Sequence, residues 1–119
     1  MTDVPSHTNV VIVVFAMHGC PACHDYLPRL HKERERFEAA GFSFPIYEPG
    51  IAIAPGAVPV LIYDSAAKDD GVQAFADRFE VTALPTTILL PRIGFPAKYE
   101  GALPDDEIYN LFNAALATR

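Results

Sequence analysis

The chain has 119 residues, half of them apolar and a fifth charged, which fits one domain with an ordinary core and excludes a disordered, collagenous or tail-like protein. Fifteen acids against nine bases give a formal charge of -6 with no basic block. That balance argues against nucleic acid and anionic membrane as partners, because phosphate binding needs clustered Lys and Arg.

Residues 1–9 are polar and predict an irregular start. The opening Met-Thr-Asp-Val-Pro-Ser lacks the basic residues and apolar stretch of a secretory signal, so a cytoplasmic protein is expected. Val10–Ala16 is an unbroken, mostly β-branched run, the mark of a strand buried on both faces in a sheet with parallel neighbours. This run and Ile88 to Pro91 are both too short to span a bilayer. Met17-His18-Gly19 breaks the strand, and from Cys20 the pattern turns helical. Ala22, Tyr26, Leu27, Leu30 and Phe37 recur at helical spacing, Gly41 supplies a stop, and Pro28 predicts a kink. Arg, Lys and Glu fill the other face over residues 29–38, which reads as solvated. Opposite charges fall at helical spacing in Arg29 with Glu33, Arg34 with Glu38 and Lys32 with Glu35.

Prolines and glycines interrupt residues 42–57, which predict a long loop with at most a short strand near 44–47. Residues 58–63 predict a second strand, with Pro59 tolerated only near its start. Asp69 or Asp70 can cap a helix running to Phe79. Residues 86–90 predict a third strand and Ala97–Glu100 a fourth, after a turn around Gly94. Pro104-Asp105-Asp106-Glu107 opens a last helix with acids at its positive end. Ile108, Leu111, Phe112, Ala115 and Leu116 form its buried stripe. The order is βα, βα, ββα, with no repeat or linker, and a single domain over residues 1–119 is expected.

The two cysteines, Cys20 and Cys23, stand together as Cys-Pro-Ala-Cys. A loop this short makes a poor structural staple, because the entropy removed grows with loop length; the spacing asks instead for redox chemistry or a metal. At the junction of strand and helix the first thiol meets unpaired N–H groups and the positive end of the helix dipole. Both favour the thiolate, which is the nucleophile. The second thiol, one turn on, can attack a mixed disulfide and release the product. Pro21 suits the first helical position, where its missing N–H costs nothing. His18 and His24 flank the pair; protonated, either would favour the thiolate further, while the plainer reading is two exposed, solubilising imidazoles. Cys20 to His24 also fits the covalent haem pattern, with His24 axial and Met17 as a partner. Zinc would lack a second ligand pair, and an iron–sulfur cluster would have to be shared between two chains through Cys20.

The chain resembles the thioredoxin superfamily over about residues 10–41 and 58–117. The strand ending in Cys20-Pro21-Ala22-Cys23 is similar to the family's central strand and active-site turn, and Pro28 stands where thioredoxins carry a kink proline. Phe79-Glu80-Val81-Thr82-Ala83-Leu84-Pro85-Thr86 resembles the family's helix end and hydrophobic-Pro-Thr signature, and Tyr99-Glu100-Gly101-Ala102-Leu103 its late glycine turn. Three features depart from the pattern. Gly19 stands where a tryptophan precedes the first cysteine, Val14 replaces a buried acid on the central strand, and the dipeptide is Pro-Ala. Proline after the first cysteine is closer to glutaredoxins and bacterial periplasmic oxidants, yet no glutathione-binding signature follows the third strand. On this pattern thioredoxin's extra N-terminal strand and helix are not expected ahead of Val10, while residues 42–57 look like an insertion.

The resemblance implies a minimal thioredoxin-like α/β fold: a central mixed sheet of about four strands with helices on both faces, the first two strands parallel and the last two antiparallel. It implies a thiol–disulfide oxidoreductase, acting as a reductase, with Cys20 as nucleophile and Cys23 as resolving thiol. Pro85, in a cis bond, and Leu84 would shape a groove where an extended substrate pairs as an added strand, with His18, Gly19, Pro21 and Gly101 completing it. The expected partners are protein disulfides and, as electron donor, a reductase or small thiol, with no dissociable cofactor or metal and a monomeric state. The alternatives are a docking or structural module with secondary redox activity, in which residues 45–59 offer a partner surface, and a glutaredoxin-like glutathione-dependent or iron–sulfur protein.

Overall fold

A computed structural model describes residues 8–119. Most of the irregular start expected over residues 1–9 lies outside the described residues. Among those described, the elements are β1 (Val10–Ala16), α1 (Pro21–Ala39), β2 (Val60–Asp64), α2 (Asp70–Arg78), β3 (Thr86–Pro91), β4 (Ala97–Glu100) and α3 (Asp105–Thr118). The strands form one sheet in the order β2-β1-β3-β4. Every residue of β1 is buried, as its unbroken apolar run demands. It pairs in parallel with β2 and antiparallel with β3, and β3 pairs antiparallel with β4.

Alternation along β1 divides the core. Val10, Ile12 and Val14 face α1 and α3, where they pack with Tyr26, Leu30, Phe37, Ile108, Leu111 and Phe112. Val11, Val13 and Phe15 face α2 and meet Val72 and Phe75. The sheet therefore carries helices on both faces. Asp69 is the cap of α2, its carboxylate accepting the N–H groups of Gly71 and Val72. Pro28 lies inside α1.

Three local expectations are corrected. β2 begins at Val60, not at residue 58, because Pro59 has no N–H for the ladder; its carbonyl still accepts the Ile12 N–H at 3.0 Å. The short strand near 44–47 reduces to one parallel bridge between Ile46 and Val60. Around it, Val58 N–H bonds Ser43 O at 2.9 Å, Val60 N–H bonds Pro45 O at 2.8 Å and Tyr47 N–H bonds Val60 O at 2.9 Å, so the segment covers the outer edge of β2. The charged face of α1 is not simply solvated either: Glu33 is buried, and pairs with Arg36 at 3.1 Å. Arg29 turns to Asp25 and Asp105 instead of Glu33, and no ion pair joins Lys32 to Glu35 among the described residues. The Arg34–Glu38 pair forms at 2.9 Å.

Candidate active site

β1 delivers the chain into a tight turn in which the Cys20 N–H bonds Met17 O at 3.2 Å. Gly19 sits at φ 89°, a left-handed conformation that glycine adopts without the steric cost a side chain adds. Cys20 then caps α1: its Sγ accepts the Cys23 N–H at 3.2 Å, and its carbonyl accepts the His24 N–H at 3.0 Å. Pro21 is the first helical residue. Cys20 and Cys23 are joined as a disulfide, with their Cα atoms 5.2 Å apart. Cys20 is half-buried, whereas Cys23 is 1% exposed.

A second segment closes on Cys20 from across the sheet. The Leu84–Pro85 bond is cis, and the Leu84 carbonyl oxygen lies 4.0 Å from Cys20 Sγ. The Thr86 hydroxyl donates to Ala83 O at 2.6 Å, and the Gly101 N–H donates to Pro85 O at 2.8 Å. Gly101, at φ 83°, is thereby tied to the same corner. The structure thus brings Cys20, Leu84, Pro85 and Gly101 together, with exposed Gly19 and Pro21 at the rim.

His18 goes elsewhere. It lies with His24 on the other flank of the disulfide, their rings edge-on with centroids 5.8 Å apart. Both line a cleft of about 400 Å³, whose wall includes Cys23, Leu27, Pro28 and Ile62. Val14 and Ile62 are register partners on β1 and β2, so the strands present hydrocarbon where the family pattern has a buried acid. Among the described residues, no cluster of three or more His, Cys, Asp or Glu side chains is placed to hold a metal ion.

Two supporting residues carry a weaker sequence signal. Tyr26, read only as part of the apolar stripe, bonds the Thr87 hydroxyl at 2.8 Å in the core. Burial raises its pKa above 10.0, partly offset by that hydrogen bond. Arg29 donates to Leu103 O at 2.7 Å and to Asp105 at 3.0 Å, holding α1 to the segment after Gly101. The Asp105 bond raises the Arg29 pKa above its ordinary value. A phenol within an apolar stripe was the available sign for Tyr26; Arg29 depends on a long-range approach that spacing does not reveal.

Residues 1–116 match the family model of a thioredoxin-like domain. No curated protein matches the chain. Similar solved structures include chloroplastic thioredoxin z, at 20% identity and a TM-score of 0.62, covering 94% of this chain and 82% of that one. Thioredoxin-2 of the malaria parasite aligns at 20% identity and a TM-score of 0.60, over 89% of this chain and 82% of its own. Mitochondrial thioredoxin 3 of Saccharomyces cerevisiae, in its oxidized form, aligns at 21% identity and a TM-score of 0.58, over 91% and 81%. At these identities the likeness establishes the fold.

Proposed function

We propose that this chain, which belongs to the thioredoxin-like domain family, is a thiol–disulfide oxidoreductase that reduces protein disulfides. The seating of Cys20 carries the reading. Cys20 is half-buried at the head of a 19-residue helix, and its sulfur takes the Cys23 N–H as a hydrogen bond at 3.2 Å. A thiolate at that position gains from the helix dipole and from a charge-assisted bond.

Cys20 attacks one sulfur of a substrate disulfide; a new S–S bond forms to Cys20, and the substrate's own S–S bond breaks to release one thiol. Cys23 then attacks Cys20 Sγ, forming the Cys20–Cys23 disulfide and releasing the second thiol. Two electrons from a reductase or small thiol restore the dithiol. The Leu84 carbonyl, 4.0 Å from Cys20 Sγ, supports docking of an extended substrate segment along the chain that leads into β3, with Gly101 as the open wall. The absence of a long side chain at Gly19 and Gly101 suits broad substrate choice.

The test is insulin disulfide reduction driven by dithiothreitol. The wild-type chain is expected to accelerate it, and Cys20→Ser to return it to the uncatalysed rate. Equal rates with and without the wild-type protein would overturn the reading in favour of a docking role.

A further inference from the structure

The disulfide separates two unlike surfaces. Cys20 lies beside Leu84, whereas Cys23 contributes to the wall of the cleft between the start of α1 and the end of β2. Leu27, Pro28 and Ile62 make much of that wall apolar. Its titratable groups are His18 from the β1–α1 turn, Cys23 and His24 from α1, and Tyr63 and Asp64 from β2; β1 contributes none, since its sequence is Val-Val-Ile-Val-Val-Phe-Ala.

Cys23 is 1% exposed in apolar surroundings, and once the disulfide is reduced its thiol must lose a proton to attack, since the thiolate is the nucleophile. The Asp64 carboxylate already accepts the Ala66 N–H at 2.9 Å. A phenol such as Tyr63 is a donor at neutral pH. An imidazole, by contrast, takes up and returns a proton in that range, and two of them stand edge-on along the cleft.

Building on the oxidoreductase reading, we propose that His18 and His24 accept the Cys23 proton through this cleft during resolution of the mixed disulfide. The Cys23 S–H bond breaks and its proton passes to an imidazole nitrogen. The sulfur's electron pair forms the bond to Cys20 Sγ, the Cys20–substrate S–S bond breaks, the departing sulfur leaves with that bond's electron pair as a thiolate, and the imidazolium returns its proton to solvent at the mouth of the cleft. No further co-reactant enters. The two flanks then divide the work, with substrate on the Leu84 side and the proton on the histidine side.

The experiment is a single turnover of the reduced full chain with one equivalent of an aromatic disulfide that releases a coloured thiolate at each step. The first release needs only Cys20, as a Cys23→Ser variant displays; the second reports resolution. His18→Gln/His24→Gln is expected to slow the second release at least tenfold at pH 7. Added free imidazole should restore it, and the first release serves as the internal reference. His31, outside the cleft, remains in every protein compared. Both histidines are exposed, so the variants are expected to keep the wild-type circular dichroism. An unchanged second release, or slowing confined to the first, overturns the assignment. Failure of the wild type to release either thiolate overturns the oxidoreductase reading itself, and this assignment with it.

Discussion

Tyr26 shows how much one hydroxyl can matter close to the cysteines. It lies three residues beyond Cys23, wholly buried, and its partner Thr87 is equally buried on β3, two residues beyond Pro85. The bond therefore links the helix that carries the cysteines to the strand that follows the Leu84–Pro85 corner. Tyr26→Phe removes one partner and strands the Thr87 hydroxyl in the core, which costs about 1–3 kcal/mol. Tyr26→Phe/Thr87→Val removes both partners and is expected to recover most of that loss, because no orphaned polar group remains. Urea midpoints of the wild type, both single variants and the double variant check this; costs that simply add would show that the hydrogen bond does not couple the two sites.

At the scale of elements, the segment over residues 42–57 contributes to the core. Phe44 is fully buried and meets Phe112 edge-on at 4.7 Å and Phe37 at 5.7 Å, while its neighbours hydrogen-bond along the rim of β2. Phe44→Ala is expected to cost about 3–5 kcal/mol, the range for deleting a buried aromatic ring, as read from the denaturation midpoint; a loss below about 1 kcal/mol would mean the segment merely rests on the surface. The regular elements were legible because periodicity reports burial directly: β1 from its unbroken β-branched run, α3 from the stripe Ile108, Leu111, Phe112 and Ala115, and the head of α1 from Cys20-Pro21. The segment over residues 42–57 was not, since its prolines and glycines erase periodicity while an aromatic such as Phe44 still finds the core. The site divided in the same way. Cys20, Leu84, Pro85 and Gly101 could be proposed together from family-like motifs, whereas the placing of His18 with His24 away from Leu84 depends on how the turn and α1 are oriented, which no spacing encodes. The pairing of Arg29 with Asp105 rather than Glu33 is likewise a tertiary choice, made by the approach of α3.

For the whole molecule, the direction of the sheet places chemistry at one end and an apolar tip at the other. β3 starts beside Pro85 and ends at Pro91, which pairs with Val10 at the far end of β1. The connection to β4 follows, and there Ile93 and Phe95 stand 88% and 96% exposed. Since Phe95 is almost wholly in solvent, removing its ring withdraws almost nothing from the core, and four residues of paired β3 and β4 lie between the tip and the Gly101–Pro85 hydrogen bond. Ile93→Ser/Phe95→Ser is accordingly expected to leave stability within about 0.5 kcal/mol of wild type and insulin turnover unchanged. Sedimentation should return a monomer for both proteins, with scattered apolar residues of this kind being ordinary on a surface. A dimer in the wild type that dissociates in the variant would instead make the tip a self-association surface. A fall in turnover with stability intact would mean that the hairpin reaches the cysteines through the strands, contrary to the separation of the two ends of the sheet.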